Sequence, residues 1–282
     1  NSIMKKVCVI GWPIKQSRSP LIHNYWLQKY GVDAVYEKLA IEPGHAASFI
    51  ASLENSEFIG CNVTIPHKET AFKAVAAPDR IAQRLGAVNT VYIRDSQVCG
   101  TNTDGEGFLA SLKSEFPGFE FRKSKVIVLG AGGGARAIIG ALSDEGVSSM
   151  GIRNRTPGRV RDLKTQFGDS VHQIEDSELA ASLSGCDLLI NTTPLGMDSQ
   201  PPQTLALHAL NPKAIVADIV YSPLVTPLLR DARIRGNPIL AGLGMLLHQA
   251  VRGFELWFGV RPEVSRELYD LVAADVKKAS NP

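Results

Sequence analysis

Short apolar runs alternate along the chain with stretches whose apolar positions recur at helical spacing, so strands and helices are expected in alternation. The first strand covers residues 7–11. A helix over 20–30 follows, with Ser19 as its N-cap, Pro20 at the first helical position and Gly31 as its stop. The pattern then predicts a strand over 35–41, a helix over 44–53 and a strand over 59–65. Pro66-His67-Lys68 opens a helix to about Ala76. A helix over 78–85, strands over 87–92 and 98–102, and a helix from Thr103-Asp104-Gly105 to Leu112 complete this part. It reads as three βα-type units.

The next stretch is Lys125-Val126-Ile127-Val128-Leu129-Gly130-Ala131-Gly132-Gly133-Gly134-Ala135, followed by a helical pattern to Leu142. A buried strand, a glycine turn and a helix start make a dinucleotide-binding βαβ unit, with free N–H groups and a positive dipole end facing a pyrophosphate. Gly130 serves the turn, Gly132 the close approach, and Ala135 stands where a third glycine is usual. The following strand, over 147–153, ends in Asn154-Arg155-Thr156, with Arg159 just beyond. An NAD site wants a carboxylate there for the ribose 2′-OH. Two guanidiniums suit a 2′-phosphate instead, so NADP is the expected cofactor. As plain solvated residues at a helix start, Arg155 and Arg159 would bind nothing.

Beyond Arg159 the expected order is a helix to Phe167, a strand near Val171, a helix to Leu183 and a strand over 188–191. A loop over 199–210 follows, then a strand over 214–220, a helix over 227–235 and a strand over 238–240. Gly242-Leu243-Gly244-Met245 opens one long helix through Phe258, and a last helix runs over 262–276.

At 282 residues and 44% hydrophobic, the chain can bury one large or two medium cores. A net charge of +2 points to neither nucleic acid nor a membrane surface. Cys8, Cys61, Cys99 and Cys186 lack metal or redox spacing and read as reduced core residues of a cytoplasmic protein. The six histidines form no ligand pair, so no metal is expected. No apolar run is long enough to span a bilayer and no signal peptide is visible.

Several polar residues sit where structure alone does not ask for them. Ser17 and Ser19 put hydroxyls at a helix N-terminus, where they can hold a carboxylate, though Ser19 can equally be only a cap. Asn62 and Thr64 lie two apart on an apolar strand, hence on one face. Lys68 opposes the dipole of the helix it opens. Asn89 interrupts another apolar strand, and Asp104 is either a cap or a functional carboxylate. Asn191 and Thr192 end a strand where open α/β sheets bind ligands.

Taken together these pieces resemble the shikimate dehydrogenase family almost end to end. They are Ser17-Arg18-Ser19-Pro20, Asn62-Val63-Thr64-Ile65-Pro66-His67-Lys68, Gly86-Ala87-Val88-Asn89-Thr90, Asn102-Thr103-Asp104-Gly105, the glycine loop, Asn154-Arg155-Thr156, the run from Asn191 to Met197, Tyr221-Ser222-Pro223, and the run from Gly242 to Gln249. The resemblance implies reversible NADPH-dependent reduction of 3-dehydroshikimate to shikimate, a step towards chorismate and the aromatic amino acids. It implies two α/β domains: a discontinuous substrate domain, 1–104 with 243–282, and a Rossmann-like NADP domain, 105–242, with the active site in the cleft between them.

By the same resemblance Ser17 and Ser19 hold the substrate carboxylate. Asn62, Thr64, Lys68, Asn89, Asp104 and Gln249 bind ring hydroxyls, and Lys68 and Asp104 form the catalytic pair. Tyr221 and Gly242 line the cleft near the nicotinamide, Tyr221 counted with the substrate residues and Gly242 and Met245 with those of the cofactor. With Thr192, the loop Gly130, Ala131, Gly132, Gly133, Gly134 and Ala135, and Asn154, Arg155, Thr156 and Arg159, these complete the expected cofactor set. Either Lys68 or Asp104 can be the proton donor. Quinate or an amino analogue, with NAD or NADP, is the alternative substrate class. Quinate-using relatives tend to carry threonine where Ser19 stands. A catalytically silent ligand-sensing relative would have lost Lys68 or Asp104. The expected assembly is a monomer or homodimer.

Overall fold

In the computed structural model, which describes residues 3–281, β1 (Lys5–Gly11) is apolar from Val7 to Ile10 and buried throughout that run. A strand buried on both faces belongs at the centre of a sheet. α1 (Ser19–Lys29) leads to β2 (Ala34–Ala40), and α2 (Ala46–Ala51) leads to β3 (Phe58–Val63); both strands pair with β1 in parallel. Then come α3 (Lys68–Ala74), β4 (Ala77–Pro78), α4 (Arg80–Leu85), β5 (Thr90–Arg94) and β6 (Gln97–Thr101). The strand order is β2-β1-β3-β5-β6-β4, with β5 antiparallel to both neighbours. Cys8, Ile10, Ile50, Leu53, Cys61 and Val91 form part of its core.

The second sheet follows α5 (Asp104–Glu115). It contains β7 (Lys125–Leu129), β8 (Ser149–Arg153), β9 (Val171–Gln173), β10 (Leu188–Asn191), β11 (Ile215–Asp218) and β12 (Ile239–Leu240). The intervening helices are α6 (Gly133–Asp144), α7 (Pro157–Phe167), α8 (Leu179–Ser184) and α9 (Pro227–Ile234). Every pairing is parallel, in the order β12-β11-β10-β7-β8-β9. The winding direction reverses between β7 and β10, so this doubly wound sheet has its ligand crevice at the carboxyl ends of those two strands. α10 (Leu243–Gln249), α11 (Val251–Phe258) and α12 (Arg266–Ser280) end the chain.

Contacts divide the chain into two units, Asn1–Thr103 with Gln249–Leu268, and Asp104–His248 with Tyr269–Pro282. These limits differ from the expected 1–104 with 243–282 and 105–242. In the second unit Ser280 donates to Asp198, and a Cβ on Gly244 would press into Ser111 of α5. In the first unit α11 packs on the sheet through Trp257, whose indole N–H donates to the Val91 carbonyl at 2.9 Å.

Several expected elements shift. Ser19 is the first residue of α1 and Arg18 its cap, because the Ser17 hydroxyl takes the Ser19 N–H and starts the helix one residue early. Pro78 belongs to β4 rather than to a helix. Asp79 caps α4 by accepting from the Ala82 N–H at 2.9 Å. β3 ends at Val63 and β5 begins at Thr90, so Thr64 and Asn89 flank their strands instead of lying within them. The long helix expected from 242 to 258 is α10 and α11, parted at Ala250. Pro262 lies in the loop ahead of α12. Among the described residues no helix is long and apolar enough to cross a membrane, and no group of three or more His, Cys, Asp or Glu could hold a metal ion.

Candidate active site

In the first unit the polar residues that interrupt its apolar strands are joined by hydrogen bonds. Asn62 is 6% exposed; its amide donates to the Asn89 carbonyl and to Thr90 Oγ1, each at 3.2 Å. Asn89 is 4% exposed. Its Oδ1 accepts from Thr90 Oγ1 at 2.9 Å and from the Thr103 N–H at 3.0 Å, and its Nδ2 donates to Thr103 Oγ1 at 2.9 Å. Thr103 Oγ1 in turn donates to the Gln249 carbonyl at 2.7 Å. Buried polar groups of this density must be satisfied or they destabilise the fold. Here they satisfy each other, which holds Asn62, Asn89 and Gln249 in one frame.

Lys68 is the first residue of α3 and half-buried. Its carbonyl accepts the Val88 N–H at 2.9 Å, which ties it to the segment carrying Asn89. Ser17, Ser19 and Thr64 are half-buried. The Thr64 methyl packs where a Cβ on Gly11 would fall, 2.6 Å away, so only glycine fits at the end of β1. Asp104, in the first turn of α5, and Tyr221, half-buried after β11, belong to the second unit.

The nucleotide side lies at the carboxyl ends of β7 and β10. Gly130 has φ +102°, and a Cβ there would stand 2.6 Å from Thr192 Oγ1. Thr192 Oγ1 donates to the Leu129 carbonyl at 2.6 Å, which brings the two loops that close together. Gly132 and Gly133 are exposed, and a Cβ on either would meet nothing within 4 Å. Gly132 caps α6 without a side chain, so the first-turn N–H groups face open space. That opening beside unsatisfied donors fits a pyrophosphate. Gly134 and the buried Ala135 complete the first turn, and Ala131 is buried beneath the loop. Gly242 is pressed against the carbonyls of Asp218, Ile219 and Val220, at 2.6–2.8 Å from a would-be Cβ. Met245 packs against the same unit's core.

After β8, Asn154 Nδ2 donates to the Thr156 carbonyl at 3.2 Å, shaping the turn that caps α7. Arg155 and Arg159 are exposed, and no ion pair involves either among the described residues. One carboxylate not anticipated here is Asp176, which accepts from Arg153 at 2.7 Å.

Sequence reasoning missed three residues. Tyr36, 2% exposed on β2, donates to Asn62 Oδ1 at 2.6 Å. Thr103 links Asn89 to Gln249 as described. Asp218, 2% exposed at the end of β11, accepts from Asn191 Nδ2 and the Val220 N–H at 3.0 Å and from Thr226 Oγ1 at 2.8 Å. Burial pushes its carboxyl up to about 6 despite those donors. Asn191 and Asp218 are register partners, so the end of β10 and the end of β11 are tied by a side-chain bond. A lone polar residue ending an apolar strand was the available signal for Asp218.

Three family models match in sequence order. The "Shikimate dehydrogenase substrate binding domain" matches residues 9–91, "Shikimate / quinate 5-dehydrogenase" 110–196, and "Shikimate 5'-dehydrogenase C-terminal domain" 242–266. A shikimate dehydrogenase (NADP(+)) of Methylocella silvestris is 48% identical over 99% of both chains. One of Rhizobium etli is 49% identical over 96% of both. Among solved structures, the Thermus thermophilus shikimate 5-dehydrogenase in complex with NADP(H) and shikimate has a TM-score of 0.85. It is 31% identical and covers 98% of this chain and 100% of its own. A Corynebacterium glutamicum quinate dehydrogenase in complex with NAD reaches 0.87 at 27% identity, over 96% and 99%. With relatives this similar over nearly their whole length, the chain belongs to the shikimate dehydrogenase family.

Proposed function

We propose that this chain catalyses the reversible NADPH-dependent reduction of 3-dehydroshikimate to shikimate. The observation that carries this is the satisfied polar frame around Asn62, Asn89 and Gln249 in the first unit. A small polyhydroxy acid needs fixed partners for each hydroxyl, and a site that bonds each one rejects analogues lacking it. Ser17 and Ser19 take the carboxylate at the start of α1. Asn62, Thr64, Asn89 and Gln249 take ring hydroxyls, assisted by Tyr221.

When bound, the nicotinamide supplies or accepts the hydride. Lys68 and Asp104 move the accompanying proton to or from the reacting oxygen, Lys68 as the transfer group and Asp104 orienting it and the substrate. In the second unit Gly130 to Ala135 and the first turn of α6 hold the pyrophosphate. Thr192, Gly242 and Met245 border the nicotinamide end. Asn154, Arg155, Thr156 and Arg159 take the 2′-phosphate, which selects NADP over NAD. We retain 1–104 with 243–282 as the substrate domain and 105–242 as the cofactor domain. The working assembly is a monomer or homodimer in the cytoplasm.

The test is the near-ultraviolet absorbance of reduced nicotinamide when the purified chain meets each of shikimate and quinate with each of NADP and NAD. Highest kcat/KM for shikimate with NADP is expected. No turnover of shikimate with either cofactor overturns the reading, and a preference for quinate with NAD reassigns the substrate.

A further inference from the structure

We propose that Tyr36 is a positioning residue for the substrate, its phenol holding the Asn62 amide in one orientation. The inference rests on the functional reading above, in which Asn62 takes a ring hydroxyl. Tyr36 Oη donates to Asn62 Oδ1 at 2.6 Å. The bond ties a side chain of β2 to one near the end of β3. Desolvation holds its proton on well above the ordinary phenol range, so towards Asn62 it is always the donor.

This donation decides what Asn62 can offer. The Asn62 Nδ2 is spent on the Asn89 carbonyl and Thr90 Oγ1, both at 3.2 Å. Oδ1 spends one lone pair on Tyr36, and its second remains for a substrate hydroxyl. With both ends held, the amide cannot turn or swing without breaking these bonds.

Tyr36 is itself held at both ends. Its N–H donates to Asn24 Oδ1 at 3.2 Å, and its carbonyl accepts from Asn24 Nδ2 at 3.1 Å. Its ring lies on the His23 ring, with centroids 4.4 Å apart and planes 2° from parallel. His23 is fully buried among Trp26, Phe254 and Trp257, and neither of its ring nitrogens has a hydrogen-bond partner. That makes it a packing platform, kept neutral by its burial. The stack leaves the phenol oxygen one place to be, and a substrate hydroxyl meets an acceptor fixed before it arrives.

Steady-state kinetics of the full chain test this with Tyr36→Phe, Asn62→Ala and the double variant. Phe keeps the ring on His23 and removes only the hydroxyl. In Tyr36→Phe, KM for shikimate rises about tenfold, the loss of one buried hydrogen bond. KM for NADP and the melting temperature stay near the parent's. In the Asn62→Ala background the same change moves KM for shikimate by less than about twofold, because residues acting through one another are not additive. With an active parent, a Tyr36→Phe KM within about twofold of the parent's overturns the inference. So does an equal loss with and without Asn62, or a parallel rise in KM for NADP. A parent inactive on shikimate overturns the functional reading itself, and this inference with it.

Discussion

Asp218→Asn makes stability depend on pH in a direction the structure specifies. The carboxyl is 2% exposed and rises from an ordinary 3.8 to about 6 because burial penalises its charged form more than Asn191, Val220 and Thr226 favour it. A shift of about two pH units corresponds to about 3 kcal/mol. A carboxyl raised in the folded state contributes stability fully below its unfolded pKa and loses it as pH rises through the folded value. The parent should therefore lose about 3 kcal/mol relative to Asp218→Asn between about pH 4 and about pH 7. Asparagine cannot titrate, and its amide replaces the oxygen that accepts from Thr226 Oγ1 at 2.8 Å. That exchange costs the variant about 1 kcal/mol at every pH. The variant should thus be less stable than the parent in acid and more stable near neutrality. Urea unfolding of both proteins across this range measures the difference, read from the midpoints with slopes compared. A difference that stays constant, or that moves in the parent's favour as pH rises, refutes the reasoning. It would mean that the three donors outweigh desolvation and hold the carboxylate ionised.

Lys68→Met and Asp104→Asn should each lower kcat/KM for shikimate by about 10²–10⁴ while leaving NADP affinity unchanged, as expected when a positioned acid–base group is removed; activity within a few-fold of the parent for either variant removes that residue from the pair. Arg155→Ala should raise KM for NADP by the equivalent of about 1.5–3 kcal/mol with kcat little affected, because the 2′-phosphate is remote from the reacting carbon; unchanged NADP affinity places the phosphate elsewhere. Gly130→Ala meets both a φ of +102° and Thr192 Oγ1 at 2.6 Å. It should cost about 2–4 kcal/mol of stability, seen as a lower melting temperature. Gly132→Ala adds its methyl to open space in an ordinary extended conformation. It should melt with the parent yet bind NADP more weakly; equal binding would show that the space is not used by the pyrophosphate.

What the sequence carried and what it did not separate along physical lines. β7, the glycine loop and α6 are local: four apolar residues after Lys125, a glycine with positive φ and a helix of twelve residues specify each other within one short segment. The pattern therefore found them, erring on α6 by two residues at each end, Ala135 to Leu142 against Gly133–Asp144. The odd polar residues of the first unit were also legible, because Asn62 and Asn89 interrupt apolar runs. Their reason was not, since it comes from the pairing of distant segments. Asn62 meets Tyr36 only because β2 and β3 both flank β1. Thr103 meets Gln249 across 146 positions of sequence. Tyr36 reads as an ordinary strand residue, because half-buried strands favour aromatics, and nothing local says that its hydroxyl has a partner. The boundaries slipped for a related reason. Ser19 has the chemistry of a cap, but Ser17, two residues earlier, supplies the oxygen that takes the Ser19 N–H and moves the helix start. α10 and α11 share one apolar period, and Ala250 between them keeps helical dihedrals of −79° and −19°. Periodicity therefore cannot mark a break where contacts pass from one unit to the other. Local chemistry thus identifies which residues are out of place in a strand or turn. Only the sheet order says which of them meet, and it is that meeting which makes Asn62 a fixed acceptor instead of a buried cost.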